Sequence, residues 1–520
     1  EFAPDCIVRP PDEVTLGDWV FDEDKLTCTQ AVVYPKDTVS SHCLTDTSLL
    51  GSRDRSDFTI KIAGRTWVSA QLSSYVAAYI LKDLLGYSVV MVDTSDGATS
   101  DWGSDIAGGL FHFEAESWQA SETATNYQYY VEEEGLVDVL GSIGYGGRSG
   151  VYVFKETAEA HPLSLFYKYY DDSAEAIAAG FPRYGETDLA GFLGAEFPFC
   201  TTAKQSWCST GEFSGYWVPP QCEDDPTNCI ELFTITPTYD TAFFEQLTRN
   251  WNLKIIHGYY GWSVGTLLKE RRSQGLHTLF YYWEPDPILS ALGAERVSYP
   301  DYSYGCYAEN DRNADTGGLK CDYAIETLKK LADPHLATDT PEAYYMLSRL
   351  QLTDPQLEQM MAVHSDGGGT FSSEEAACQF VQNNVKTLLA SFVPDCIYQP
   401  KDMSTVHIGD TVFDPDELAC TVVDCPSYQV LMSDGSRVFC QNCSAGLIPD
   451  ADRISCDFCD KGSAVSDSKI TCETCSAGHY AENRGMTECL PCSKGSYIGE
   501  RGATECSLCP LGTYVESEGA

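Results

Sequence analysis

Residues 58–93 read FTIKIAGRTWVSAQLSSYVAAYILKDLLGYSVVMVD, and three patterns inside that stretch set the fold class. Phe58-Thr59-Ile60-Lys61-Ile62 alternates as a strand does. Gln71 to Gly86 carries helical periodicity and stops at a glycine. Ser88 to Val92 returns to a strand pattern. Strand, helix and strand in that order predict an α/β arrangement. The order recurs at Leu253–Ile256, Val264–Arg272 and His277–Tyr282, so one α/β domain is expected over residues 51–390. Residues 195–235 interrupt it with Cys200, Cys208, Cys222 and Cys229, and read as a disulfide-pinned insertion.

On either side of that domain two stretches echo each other. Phe2-Ala3-Pro4-Asp5-Cys6-Ile7 returns as Phe392-Val393-Pro394-Asp395-Cys396-Ile397. Each copy continues through Gly-Asp, Val-Phe-Asp and an acidic-Leu step to a second cysteine, Cys28 or Cys420. The simplest reading is a small module closed by Cys6–Cys28 in residues 1–50 and by Cys396–Cys420 in residues 391–439. From Cys440 the pattern changes to Cys-x-x-Cys pairs at 440/443, 456/459, 472/475, 489/492 and 506/509, spaced 16, 16, 17 and 17 residues apart. Glycines and aromatics recur in phase, as in Gly478-His479-Tyr480, Gly495-Ser496-Tyr497 and Gly512-Thr513-Tyr514. Residues 440–520 are therefore an array of stacked small units, not one core.

The chain carries 33 basic and 77 acidic side chains, a formal charge of −44. Such a surface repels phosphate backbones, which excludes nucleic acid as a partner class. Cysteines number 23, and 12 of them fall in residues 420–520, a density that belongs to disulfide scaffolds. Disulfides persist in oxidising compartments, so an extracellular or cell-surface setting is expected. Zinc would need thiolates that such a compartment oxidises, and no metal or other cofactor is expected. The most apolar stretch, Tyr75 to Val92, is broken by Lys82 and Asp83, so no membrane-inserting helix is expected. Asn442-Cys443-Ser444 is a sequon that suits N-glycosylation there. Asp93, Asp96, Asp101 and Asp105 have calcium-like spacing but lack the loop glycine and closing glutamate of an EF-hand.

Four short motifs carry the functional reading. Thr66-Trp67-Val68 stands between the first strand and helix. Asp105-Ile106-Ala107-Gly108-Gly109 precedes Glu116-Ser117-Trp118. Gly146-Gly147-Arg148-Ser149-Gly150 follows a segment rich in Gly and Tyr. Leu279 to Tyr282 reads as a strand delivering Trp283-Glu284-Pro285. In order and spacing, residues 56–310 resemble the solute-binding proteins of glycine-betaine, proline-betaine and choline transport systems. That resemblance implies a two-lobed periplasmic-binding-protein-like α/β fold, no catalysis, and an aromatic cage for a small quaternary ammonium ligand. It assigns Trp67, Trp118 and Trp283 to cage positions. Glu116 is the carboxylate beside them, and Tyr145, Tyr259 and Trp262 are further candidates. A quaternary ammonium has no N–H to donate, so ring faces must hold it, each contributing about 0.5–2 kcal/mol. A betaine's carboxylate would need backbone N–H groups, for which the Gly144–Gly150 loop and the helix start after Trp262 are candidates. The sequence departs from the family in having no proline after Trp118 and in its cysteine-rich insertion.

Residues 440–520 resemble the ephrin-receptor-like, growth-factor-receptor-like cysteine-rich modules of ectodomains. Linking each pair to the next would join Cys443–Cys456, Cys459–Cys472, Cys475–Cys489 and Cys492–Cys506, leaving Cys509 without a mate. The chain is then expected to be part of something longer, with the repeats open to other copies or other extracellular proteins. Two rival readings remain. One is a structural block of an extracellular filament. The other is an α/β-hydrolase, because Gly261-Trp262-Ser263-Val264-Gly265 has the form of a nucleophile elbow. In it His257-Gly258 would be the oxyanion loop, with Asp286 or Asp301 and His335 or His364 as partners of Ser263.

Overall fold

The computed structural model describes residues 19–22, 27–30, 36–39, 42–51, 54–94, 102–118, 127–187, 215–235, 242–261, 264–434 and 437–520. Cys6, Cys200, Cys208, Trp262 and Ser263 lie outside these residues, and so does the expected Cys6–Cys28 pairing. The chain divides into two units, residues 1–392 and 393–520.

In the first unit β1 (Trp19–Asp22) and β2 (Thr27–Gln30) form a hairpin. The remaining strands join one sheet: β3 (Lys36–Thr38), β4 (Arg55–Gly64), β5 (Tyr87–Asp93), β6 (Phe113–Ser117), β7 (Asp138–Phe154), β8 (Tyr216–Trp217), β9 (Ile230–Thr234), β10 (Ile255–Tyr259), β11 (Leu279–Glu284), β12 (Ala294–Arg296) and β13 (Glu326–Ala332). Their order is β3-β5-β4-β6-β13-β7-β11-β9-β10-β8, with β12 also on β7. Strands β4, β5 and β6 run parallel in one half, and β9, β10 and β11 in the other.

The 17-residue β7 joins the halves. Its residues from Asp138 to Gly147 pair with β13, and those from Arg148 to Val153 pair antiparallel with β11. The sheet therefore changes lobes at Gly146-Gly147-Arg148. The expected Gly-rich loop is a strand instead, because Gly146 and Gly147 pair with β13 and Arg148 to Gly150 pair with β11. The α/β class and two-lobed design expected from the sequence are what the chain adopts.

Helix α1 (Val68–Tyr79) covers the first lobe, packed between β6 and the helix Ser373–Phe392. Ten of its twelve residues are buried, and small Ala and Ser side chains let it sit close to both neighbours. It runs on through a wider turn, Ile80–Leu84, to Gly86 at φ +80°. A left-handed glycine ends helices because it has no Cβ to clash. Cys43–Cys378 ties the segment after β3 to the helix Ser373–Phe392.

Two boundaries differ from those read in the sequence. Strand β3 pairs antiparallel with β5, so the sheet begins upstream of residue 51. The cysteine-rich insertion also supplies structure: Cys222–Cys229 closes a short loop, while β8 and β9 are strands of the second lobe. Every residue of β9 is buried, so it lacks the alternation that marks a half-exposed strand.

The second unit opens with a hairpin of β14 (Thr411–Asp414) and β15 (Ala419–Val422), whose register places Phe413 opposite Cys420. In β1–β2, Phe21 faces Cys28 in the same way, so the duplicated sequence folds into duplicated hairpins. Cys396–Cys420 and Cys425–Cys440 close this region. Beyond it, disulfides join Cys443–Cys456, Cys459–Cys472, Cys475–Cys489 and Cys492–Cys506, one per repeat, and Cys509 is free. Backbone bonds link successive repeats: Gly462 N–H to Ala481 O (2.9 Å) and Gly478 N–H to Ile498 O (2.8 Å). Gly462 and Gly478 sit at φ +82° and +86°, and a Cβ on either would meet a carbonyl two repeats on. That is why the Gly-x-Tyr-like pattern recurs. Asn442 is exposed, as a glycan acceptor must be. No helix among the described residues is long and apolar enough to cross a membrane.

One buried charge tests the first lobe's packing. Lys330 on β13 is fully buried, and its Nζ donates to the carbonyls of Leu347 (2.9 Å), Ser348 (2.7 Å) and Leu350 (2.6 Å) at the end of the helix Pro341–Arg349. Lys330→Met leaves those carbonyls without a donor, an expected loss of about 3 kcal/mol. Urea unfolding of the variant measures it, and an unchanged midpoint would mean that water replaces the amine.

Candidate functional site

Strand β4 ends at Gly64, and Arg65, Thr66 and Trp67 carry the chain into α1. Trp67 takes the N-cap position with extended backbone, and its side chain does not cap. The indole turns to β6 instead. In a strand, alternate residues share a face, so Glu114 and Glu116 both point toward this turn.

Glu116 is the centre of the arrangement. It is 0% exposed. Its Oε1 accepts the indole N–H of Trp67 (2.6 Å), the indole N–H of Trp118 (2.8 Å) and the hydroxyl of Ser69 (3.0 Å). Its Oε2 accepts the hydroxyl of Tyr145 (2.5 Å), which is itself 2.8 Å from Ser73 Oγ. An indole N–H can only donate, so Oε1 carries no proton. Burial pushes the carboxyl up from its usual range, and the four hydrogen bonds pull it back. Burial and the neighbouring Glu116 charge hold the Tyr145 phenol well above its ordinary value.

Two residues away, Glu114 takes both Nε and Nη2 of Arg65 at 2.9 and 2.7 Å, a buried two-pronged pair. The Arg65 guanidinium lies 5.9 Å from the centre of the Trp67 ring.

Trp118 is half-buried and lies against β7 at Gly147, where an added Cβ would come within 2.4 Å of its ring. Trp283, 3% exposed, faces Ser149 across β7–β11, and its ring stacks on Tyr282 with centroids 4.4 Å apart. Since Gly147 and Ser149 are two apart on one strand, Trp118 and Trp283 lie on the same face of the sheet. Trp67 and Trp118 pack against the hydrophobic cluster to which Trp283 belongs. Three residues on, Asp286 accepts the Ile288 N–H (2.9 Å) and caps the helix Pro287–Ala291. Burial, helped by the charges of Asp366 and Glu116, raises it to about 7.

The structure thus brings Trp67, Glu116, Trp118 and Tyr145 into one network, with Trp283 on the same sheet face. Tyr259 is placed elsewhere. It packs with Trp217, Ala242 and Ala314, and its hydroxyl donates to Glu245 at 2.7 Å. Trp262 is outside the described residues. The Gly144–Gly150 segment, expected to offer N–H groups to a ligand carboxylate, is inside β7 and pairs with β13 and β11. Sequence reasoning missed Ser69, Ser73 and Arg65. The signal was present: Ser69 and Ser73 are four apart on the helix, hence on one face.

The partners proposed for Ser263 are engaged otherwise. His257 and Gly258 are mid-strand in β10, paired with β8 on one side and β9 on the other, and form no loop. His364 Nε2 is 3.2 Å from Ser373 Oγ, and exposed His335 contacts Asp333. A groove of about 570 Å³ opens near His277, at the end of β11 away from Trp283. Its charges are already paired, Arg272 with Glu156 and Lys269 with Asp366. Among the described residues no group of His, Cys, Asp and Glu could hold a metal ion.

A two-lobed sheet with aromatic and acidic groups where the lobes join defines the class of substrate-binding proteins. The family described as the substrate binding domain of ABC-type glycine betaine transport system matches residues 58–168 and 239–383. The matched segments take in strands of both lobes. The tyrosine-protein kinase ephrin type A/B receptor-like family matches 462–504 and 481–520. Similar solved structures include lactococcal OpuAC with glycine betaine (16% identity, 64% of this chain and 99% of that one, TM-score 0.39). Others are a glycine betaine/L-proline-binding protein from Borrelia burgdorferi (15%, 66% and 99%, 0.41) and a choline binding protein with choline (14%, 64% and 91%, 0.38). No curated protein matches the chain.

Gly147→Ala tests the packing of Trp118. The new methyl must displace the indole, so near-UV circular dichroism and tryptophan emission should change while the far-UV spectrum does not. Unaltered near-UV bands would show that the ring does not rest on that strand.

Proposed function

We propose that the first unit captures a small quaternary ammonium solute, without catalysis, against the rings of Trp67, Trp118 and Trp283. Glu116 is the counter-charge. The observation that carries this reading is a fully buried carboxylate whose donors include both indole N–H groups. The hydrogen bonds to Glu116 hold both rings by their edges, and a ring face is what attracts a cation without N–H groups. The family match supports the same chemistry. We place the protein outside the cell, where nine described disulfides would persist. There the repeat rod would carry the binding unit as part of an ectodomain.

Calorimetry with choline and glycine betaine tests it. Heat of binding should appear with at least one, and Trp67→Ala or Trp283→Ala should weaken it by roughly 3- to 30-fold, the worth of one ring face. Silence with both cations would leave a structural spacer as the better account.

A pH series adds a second check. Asp286 faces Glu116, Asp366 and Lys269 and accepts the Ile288 N–H, and it titrates near 7. Its raised value means that it is neutral in acid and charged above about 7. A cation favours the charged form, so affinity should be full near pH 8 and fall as pH drops through 7, with Glu116 acting in the same direction. Affinity that is flat from pH 5.5 to 8.5 would remove Asp286 from the account.

A further inference from the structure

Resting on that reading, we propose that Glu116 makes the site select quaternary ammonium compounds without a carboxylate, such as choline, and reject zwitterionic betaines. A betaine brings its own anion, which must find donors inside the site. Among the described residues, the donors beside Glu116 are the indole N–H groups of Trp67 and Trp118 and the hydroxyls of Ser69 and Tyr145, and Glu116 already takes all four. Both indoles and Ser69 end on its Oε1, and Tyr145 on its Oε2. Ser69 is the second residue of α1, so the carboxylate also stands at the positive end of that helix.

Nearby basic groups are likewise engaged. Arg65 is held by Glu114, and Arg148 by Glu284 at 2.7 Å. Asp286 adds a further acid whose titration responds to Glu116. The protein thus supplies from within the anion that a betaine would bring. A second carboxylate would meet a like charge in a medium that screens it poorly. A ligand bearing a hydroxyl or an ester in that place would not.

Calorimetry on the full chain with choline, glycine betaine and glycine betaine methyl ester decides it. The ester keeps the trimethylammonium and the shape but removes the negative charge. Choline and the ester should bind, with glycine betaine weaker by at least about 30-fold. In Glu116→Gln the choline affinity should fall by about 10-fold and the choline-to-betaine ratio should shrink below about 3. Glycine betaine binding the unaltered protein as tightly as choline or the ester would overturn the selectivity and leave cation capture standing. No binding by any of the three would instead sink the capture reading itself. If Glu116→Gln does not fold, the ester-to-acid comparison on the unaltered protein still gives the answer.

Discussion

A carboxylate sealed from water would be lost by several kcal/mol unless donors replaced its hydration. Glu116 has four, and they come from separate segments: Trp67 before α1, Ser69 within it, Trp118 after β6 and Tyr145 on β7. Meeting that one requirement fixes how the first helix sits on the sheet. It also explains features odd in isolation. Of the three serines buried on α1, Ser69 and Ser73 have hydroxyls that reach Glu116 and Tyr145, and Ser74 donates to the Ala63 carbonyl. Gly147 is bare because the Trp118 ring lies on it.

The position of this network follows from topology. β7 belongs to both lobes, and the network touches it at Tyr145 and Gly147, just before pairing passes from β13 to β11. Trp283 reaches the same face from β11 in the other lobe. A ligand held there would touch groups of both lobes, the arrangement by which two-lobed proteins couple binding to closure. The second unit is stabilised by another route. Its repeats are too small to bury much, so one disulfide per repeat and backbone bonds between repeats replace a core.

Much of this was legible in the sequence, for identifiable reasons. The α/β class showed because β4, α1 and β5 have distinct periods within 36 residues. The repeat disulfides showed because cysteine spacing is regular and each pairing is local. Trp67, Glu116, Trp118 and Tyr145 stood near elements whose ends could be read. The rest needed long-range information. β9 is buried along its whole length and lies in a cysteine-rich stretch, so neither alternation nor composition marked it. The Gly144–Gly150 segment resembled a loop because glycine lowers strand propensity, yet pairing with β13 and then with β11 overrides that. Tyr259 sits on a strand end like Trp283, but its hydroxyl finds Glu245, a partner that strand order alone does not reveal.

The charge of −44 and the buried carboxylates act over different ranges. Surface acids are screened within roughly 8–10 Å at physiological salt, so they keep the protein soluble but do not read a ligand's shape. Three basic groups of the first unit are matched by carboxylates: Arg65 by Glu114, Arg148 by Glu284 and Arg296 by Asp322. Glu116 is different, since its partners are neutral donors that stabilise its charge without cancelling it. A carboxylate held by dipoles keeps its field, whereas one paired with an arginine loses most of it at a distance. The field at the proposed site is therefore set by this buried group and not by the acidic exterior.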